Sequence, residues 1–404
     1  MVTKPEFEAT NKAFTNQTGP CAMIKNSAIF TGSMGLERVR EIHNIRDKQV
    51  KWLKGQGQKI IGYVCSFAPP EIISAAGLVP YRLTGKISSP LTKVDAYLES
   101  TACPYVRNLF DQALKGSDDF VDGLVLCHSC DSVLRVSGLF AYYITSPYFR
   151  VVNVPHNLSE SSLTFFKSEL IFFKESLEKL TGNEISSDNL RQTVQLYNDN
   201  RALVRGLYEL RKQDPPLMTG SEMMQLLVAG VSIPATKFNA LLREVTQEVK
   251  SRGQRSVKKP RVMIYGCILD SDTFPKLVED SGADIVVDDT CIGTRTYWHD
   301  VPETPDIFDG LVKCYLEDFV CPRTGRPYDY GRFQYLKDFI RDFKVDGVIL
   351  YALQYCDPHK IDIPSIRDFL AEDGLPTLYI EDDYTISNFQ AIKTRVQAFL
   401  EMIG

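Results

Sequence analysis

The 404-residue sequence has no apolar run approaching the roughly 18 to 20 residues that a membrane-spanning helix needs. Its start, MVTKPEFEATNKAF, has no apolar signal core, so a cytoplasmic protein is expected. Basic excess is also missing: 46 Lys and Arg face 51 Asp and Glu, for a net charge of -5, and the basic residues are scattered. Nucleic acid, which needs a positive stripe or patch, is therefore not an expected partner. There is no G-x-x-x-x-G-K-[ST] loop, which excludes ATP binding through a P-loop. What stands out is ten cysteines. In a reducing cytosol that number points away from a disulfide framework and toward metal, cluster or redox chemistry. With 44% hydrophobic residues the chain can bury the cores of two or three domains without such staples.

The pattern divides the chain into four parts: a polar segment over 1–58 with a helix from Leu36 to Leu53, an α/β unit over 59–158, a helical segment over 159–258, and a second α/β unit over 259–404. In the first unit KIIGYVC (59–65), GLVPYRL (77–83), VDGLVLC (121–127) and FRVVNVP (149–155) read as strands. They alternate with helices over Pro69 to Ala76 and from Pro104 onward, as a parallel sheet covered on both faces requires. After the cap candidate Ser159 the period becomes helical, with Leu163, Phe166, Leu170, Phe173, Leu177 and Leu180 three and four apart. Three further helical stretches lead to the basic linker SRGQRSVKKP (251–260).

The last part repeats the first in order. VMIYGC (262–267) matches IIGYVC (60–65), and GADIVVDD (282–289) takes the place of GLVPYRL. VDGVILYALQYCDP (345–358) answers VDGLVLCHSCDS (121–132), and PTLYIEDD (376–383) parallels the fourth strand. One Val-Asp-Gly match is commonplace, but four matches in the same order indicate duplication. The expected fold class is α/β: two flavodoxin- or Rossmann-like parallel-sheet domains joined by a helical segment.

In such sheets ligands gather outside the carboxyl ends of the strands, where the strand order reverses. Cys65, Cys127, Cys130, Cys267, Cys291 and Cys356 fall at or just beyond strand ends, and Cys103 precedes a helix. They are expected to face one crevice, with Cys103 and Cys130 on one side and Cys356, Cys267, Cys291 and Cys321 on the other. Zinc competes, because CHSC (127–130) is a C-x-x-C, but no second close pair accompanies it. A thioredoxin-like pair at CHSC leaves Cys103, Cys291, Cys321 and Cys356 without a role. Iron-sulfur clusters take thiolates far apart in sequence and suit the dispersed pattern. Any single cysteine can also be a small buried apolar residue, the reading for Cys21 and for Cys314 within a helix.

TACPYVRN at Cys103, CHSCDSVLR at Cys130 and LQYCDPHK at Cys356 resemble the superfamily of 2-hydroxyacyl-CoA dehydratases and benzoyl-CoA reductases, as do residues 62–83 and 196–211. The resemblance runs from about Lys59 to the end of the chain. It implies Cys103, Cys130 and Cys356 as ligands of a [4Fe-4S] cluster between two flavodoxin-like domains. YGCILD at Cys267, DDTCIGTR at Cys291 and CPRTG at Cys321 resemble the branch with a double-cubane [8Fe-9S] cluster. The resemblance further implies a separate ATP-hydrolysing iron-sulfur activator protein, a homodimer or heterodimer, and oxygen-sensitive chemistry in which one electron forms a substrate radical anion.

Three functions remain open at this point. One is an activator-driven, low-potential reductase of small unsaturated molecules or CoA thioesters such as benzoyl-CoA. Another is a 2-hydroxyacyl-CoA dehydratase subunit, a lyase with one [4Fe-4S] cluster. The third is a nonenzymatic electron-carrying or scaffold subunit. Ser66, Glu71, His128, Asp131 and His359 lie near the cysteines in sequence and are candidates for tuning or proton transfer, or equally for caps and hydrogen bonds to ligands. Glu381, Asp382 and Asp383 read as a solvated strand end.

Overall fold

A computed structural model describes residues 33–253, 257–326 and 333–404. Cys21 and part of the 251–260 linker lie outside the described residues. Two helices, α1 (Gly35–Asn44) and α2 (Arg46–Gly55), replace the single one expected over Leu36 to Leu53. The chain breaks at Ile45 (φ -121°, ψ 24°), whose N–H is shared between the carbonyls of Glu41 and Ile42.

The first sheet contains β1 (Ile60–Tyr63), β2 (Val79–Arg82), β3 (Gly123–His128) and β4 (Phe149–Asn153), with α3 (Pro70–Ala75), α4 (Pro104–Leu114) and α5 (Asp131–Tyr143) as connections. All pairings are parallel, in the order β2-β1-β3-β4. Four helices then lead to the second sheet: α6 (Glu160–Thr181), α7 (Ser187–Leu210), α8 (Gly220–Gly230) and α9 (Ala235–Ser251). That sheet has β5 (Arg261–Gly266), β6 (Asp284–Asp289), β7 (Gly347–Leu353) and β8 (Thr377–Asp382) in the matching order β6-β5-β7-β8, also parallel. Its helices are α10 (Thr273–Asp280), α11 (Thr294–Tyr297), α12 (Ile307–Val312), α13 (Gln334–Phe343), α14 (Asp357–Ala371) and α15 (Phe389–Ile403). Strands β1, β2, β5, β6 and β7 are buried at every position, as the continuous apolar runs require of strands covered on both faces. The edge strands β4 and β8 are largely half-buried. The order reverses between β1 and β3 and again between β5 and β7, so each sheet has one crevice at the carboxyl ends of those strands.

The linking helices start where their caps dictate. Ser159 caps α6 by accepting from the Ser162 N–H, Ser186 caps α7, and Thr219 with Glu222 forms a capping box on α8. Phe166, Leu170, Phe173 and Leu177 are the buried stripe of α6. Long α7 reaches both sheets. Its Arg201 pairs with Glu71 of α3 at 2.5 Å, while Tyr208 donates to Asp288 and Arg211 to the Ile285 carbonyl of β6. The helical segment therefore holds the two crevices in a fixed relation. Cys314 lies in a π-helical turn, Lys313–Glu317, that continues α12. Asp382 is not solvated as the acidic run suggested: it is fully buried and accepts from Tyr351 Oη at 2.7 Å.

Candidate functional site

Three of the cysteines singled out from the sequence occupy the same local position. Cys103 is the N-cap of α4, Cys130 of α5 and Cys356 of α14. Proline at the start of α4 and of α14 favours helix initiation there. None of the three side chains closes a standard cap hydrogen bond, and each sulfur instead faces the first-turn amides of its helix. Each lies in the positive field of a helix start, which favours thiolate over thiol. Against that field, burial pushes the Cys103 thiol well up and the Cys130 thiol up to about 12, with first-turn amides of Val106 and Val133 pulling back down. Cys356 is raised by its contact with Cys267 and then by burial. Cys103 feels Cys356 and Cys130, and Cys130 feels Cys356, so these residues from two different sheets form one electrostatic group.

A second group lies beyond β6. Cys291 and Cys321 are each raised to about 12, chiefly by burial, and each feels the other or their shared neighbour Arg295. Arg295 is buried and pairs with both carboxylate oxygens of Asp289 at 3.1 Å. Its Nη1 lies 3.6 Å from Cys291 Sγ and 3.2 Å from His359 Nε2. Because arginine can only donate, Nε2 accepts and the proton resides on Nδ1, which faces Cys356 Sγ at 3.5 Å. Burial, followed by Arg295, holds His359 well below the usual histidine range, so the ring is neutral. A chain Asp289, Arg295, His359 thus joins Cys291 of one group to Cys356 of the other. Cys267, expected in the second group, stands beside Cys356 instead; its sulfur accepts from the Leu353 N–H at 3.3 Å. Gly266 just before it sits against the Tyr351 carbonyl, where no Cβ fits.

The remaining candidates separate clearly. Ser66 Oγ donates to the Cys291 carbonyl at 2.8 Å and accepts from Arg82 at 2.7 Å, bridging the sheets beside the cysteines. Glu71 is buried and fully engaged with Arg201 and Tyr315 Oη. Asp131 forms an exposed pair with Arg135, and His128 packs edge-on against His156. Cys127 lies at the end of β3, as expected, but is fully buried, and Cys314 is also buried. Arg82, Arg295 and Arg323 were not singled out from the sequence, since isolated arginines carry no spacing signal. All nine described cysteines are free. Among the described residues no three His, Cys, Asp or Glu side chains meet at one ion-sized point, and no helix is long and apolar enough to cross a membrane. A cavity of about 50 Å³ lies beside the Cys291 loop, walled by Tyr63, Ser66, Arg82, Arg201, Thr296 and Tyr315.

Residues 65–403 match the family "2-hydroxyglutaryl-CoA dehydratase, D-component". The (R)-phenyllactyl-CoA dehydratase beta subunit of Clostridium sporogenes is 27% identical, over 90% of this chain and 96% of its own. One of the subunits of the benzoyl-CoA reductase of Thauera aromatica is 30% identical, over 84% of this chain and 89% of its own. The beta subunit of (R)-2-hydroxyglutaryl-CoA dehydratase from Acidaminococcus fermentans is 23% identical, over 87% and 94%. Dehydratase and reductase subunits are thus both among its relatives, and the chain belongs to the 2-hydroxyglutaryl-CoA dehydratase D-component family.

Proposed function

We propose that this chain is a low-potential iron-sulfur reductase subunit that passes single electrons to a small unsaturated molecule or a CoA thioester such as benzoyl-CoA. The carrying observation is the trio of helix-capping cysteines, Cys103, Cys130 and Cys356, drawn from two sheets into one electrostatic group. Soft sulfur donors, buried at Cys103, half-buried at Cys130 and Cys356 and none of them in a disulfide, fit an iron-sulfur cluster. In this reading Cys103, Cys130 and Cys356 hold one cubane of an [8Fe-9S] double cubane, and Cys291 and Cys321 belong to the other, for which the sequence resemblance also named Cys267. When bound, the cluster supplies electrons one at a time. The chain's own residues keep the thiols in the positive field of three helix starts and fix the His359 proton on Nδ1. The cavity of about 50 Å³ beside the Cys291 loop has room for a few water-sized groups. The electron donor in this reading is an ATP-hydrolysing iron-sulfur activator, and the working unit is a homodimer or a pair with a related subunit.

The names of the dehydratase relatives favour a second reading, a lyase subunit with one [4Fe-4S] cluster. Anaerobic purification with iron and sulfide counts separates the two. About eight irons per chain support the double-cubane reductase, and about four, with redox-neutral loss of water from a 2-hydroxyacyl-CoA, support the lyase. Zinc without sulfide overturns both.

A further inference from the structure

Building on the double-cubane reading, we infer that Cys65, rather than Cys267, is the third ligand alongside Cys291 and Cys321, with Arg82 and Arg323 as its counter-charges. Cys65 and Cys267 occupy matching places after β1 and β5, yet their surroundings differ. The Cys267 sulfur is occupied by the Leu353 N–H and stands with Cys356. Cys65 has φ +79°, in the left-handed region that a residue with a Cβ enters only where its surroundings hold it there. The next residue, Ser66, is hydrogen-bonded to the Cys291 carbonyl, which fixes the Cys65 turn against the Cys291 turn. Cys291 and Cys321 both feel Cys65, and so does Cys130 across the crevice.

Charge gives an independent reason. The buried guanidiniums of Arg295 and Arg201 each have a carboxylate, Asp289 and Glu71, whereas Arg211 and Arg261, away from the cysteines, donate to carbonyls. Arg82 has no carboxylate: it donates to Ser66 Oγ and the Cys291 carbonyl, and its buried Nε has no acceptor. Arg323 is likewise surrounded by neutral acceptors, the carbonyls of Ser129, Pro155, Val154 and His128 and the His156 ring. Among the described residues no carboxylate pairs with either. Two buried cations without anions are costly unless an anion sits between them. The group that both feel is Cys65, together with Cys291 on the Arg82 side and Cys321, Cys130 and Cys127 on the Arg323 side. A bound, thiolate-ligated anionic cluster at these three sulfurs supplies the missing charge.

The test compares anaerobically reconstituted wild type, Cys65→Ala, Cys65→Ser and Cys267→Ala by iron and sulfide counts and electron paramagnetic resonance. Expected are about eight irons in wild type and in Cys267→Ala, and about four, with a single-cubane spectrum, in both Cys65 variants. The four irons retained by the Cys103 group, with an unchanged circular dichroism spectrum, report that these variants fold. About eight irons in the Cys65 variants overturns the assignment while leaving the double cubane intact. About four in wild type overturns the double cubane itself, and the second ligand set with it. If the Cys65 variants lose all iron, alkylation of the native wild type decides: Cys65 protected when loaded and labelled after chelation supports ligation, whereas labelling in both states overturns it.

Discussion

His359 presents its Nδ1 to the Cys356 sulfur at 3.5 Å while Arg295 occupies its other nitrogen. With the ring neutral and Nε2 taken by Arg295, the Nδ1 proton is shared between the Gly266 carbonyl and the Cys356 sulfur, and donors to cluster sulfur stabilise the more anionic, reduced state. His359→Ala is therefore expected to keep its iron but to show a more negative reduction potential in an anaerobic redox titration. An unchanged potential would show that His359 serves packing alone.

Glu71, a candidate from the sequence, is held in a buried ion pair. Its carboxylate accepts from Arg201 at 2.5 Å and from Tyr315 at 2.7 Å, joining α3, α7 and the π-helical turn. Glu71→Ala strands a buried guanidinium, which costs about 3–5 kcal/mol. Urea denaturation should show a midpoint lowered accordingly, and replacing both members, Glu71→Ala with Arg201→Met, should recover part of the loss. Equal stability of Glu71→Ala and wild type would refute the pairing.

The sheets were legible because period-two and continuous apolar runs report burial directly. IIGYVC and VMIYGC became the central strands β1 and β5, and both VDG segments led into β3 and β7. The positions of Cys130 and Cys356 followed from strand ends, and that of Cys103 from the helix start at Pro104. What the sequence could not convey was which sulfur faces which. Cys65 and Cys267 match in sequence but part company in space, because that depends on the Leu353 amide and on distant arginines. The arginines themselves had no periodic signature: Arg295 acquires its meaning only when Asp289, Cys291 and His359 are folded around it. The break at Ile45 is equally invisible to a helical period that continues through it.

Cys127 and Cys314 provide a control for all the cluster assignments. Both are buried in the apolar core around β1, β3 and α6, where a thiol acts as a small hydrophobe. Cys314→Ala and Cys127→Ala should retain the full iron content and lose roughly 1 kcal/mol of stability, the ordinary cost of a small core truncation. Loss of iron from either would move that residue into the ligand set.

Away from the cysteines, Asp118, in the turn before β3, predicts a pH dependence. Burial, reinforced by the nearby Asp47, raises its carboxyl from 3.8 to about 6. A carboxyl whose pKa is raised on folding binds its proton more tightly in the folded chain. Its favourable contribution is complete below about pH 4 and is lost as the pH rises through about 6. At neutral pH the ionised side chain then weakens the fold by roughly 1–3 kcal/mol, after allowance for its partial exposure. Asp118→Asn should accordingly be more stable than wild type at pH 7.5 by that amount. The advantage should shrink through pH 6 and vanish near pH 4 in chemical denaturation series, whereas an advantage independent of pH would place its origin outside this titration.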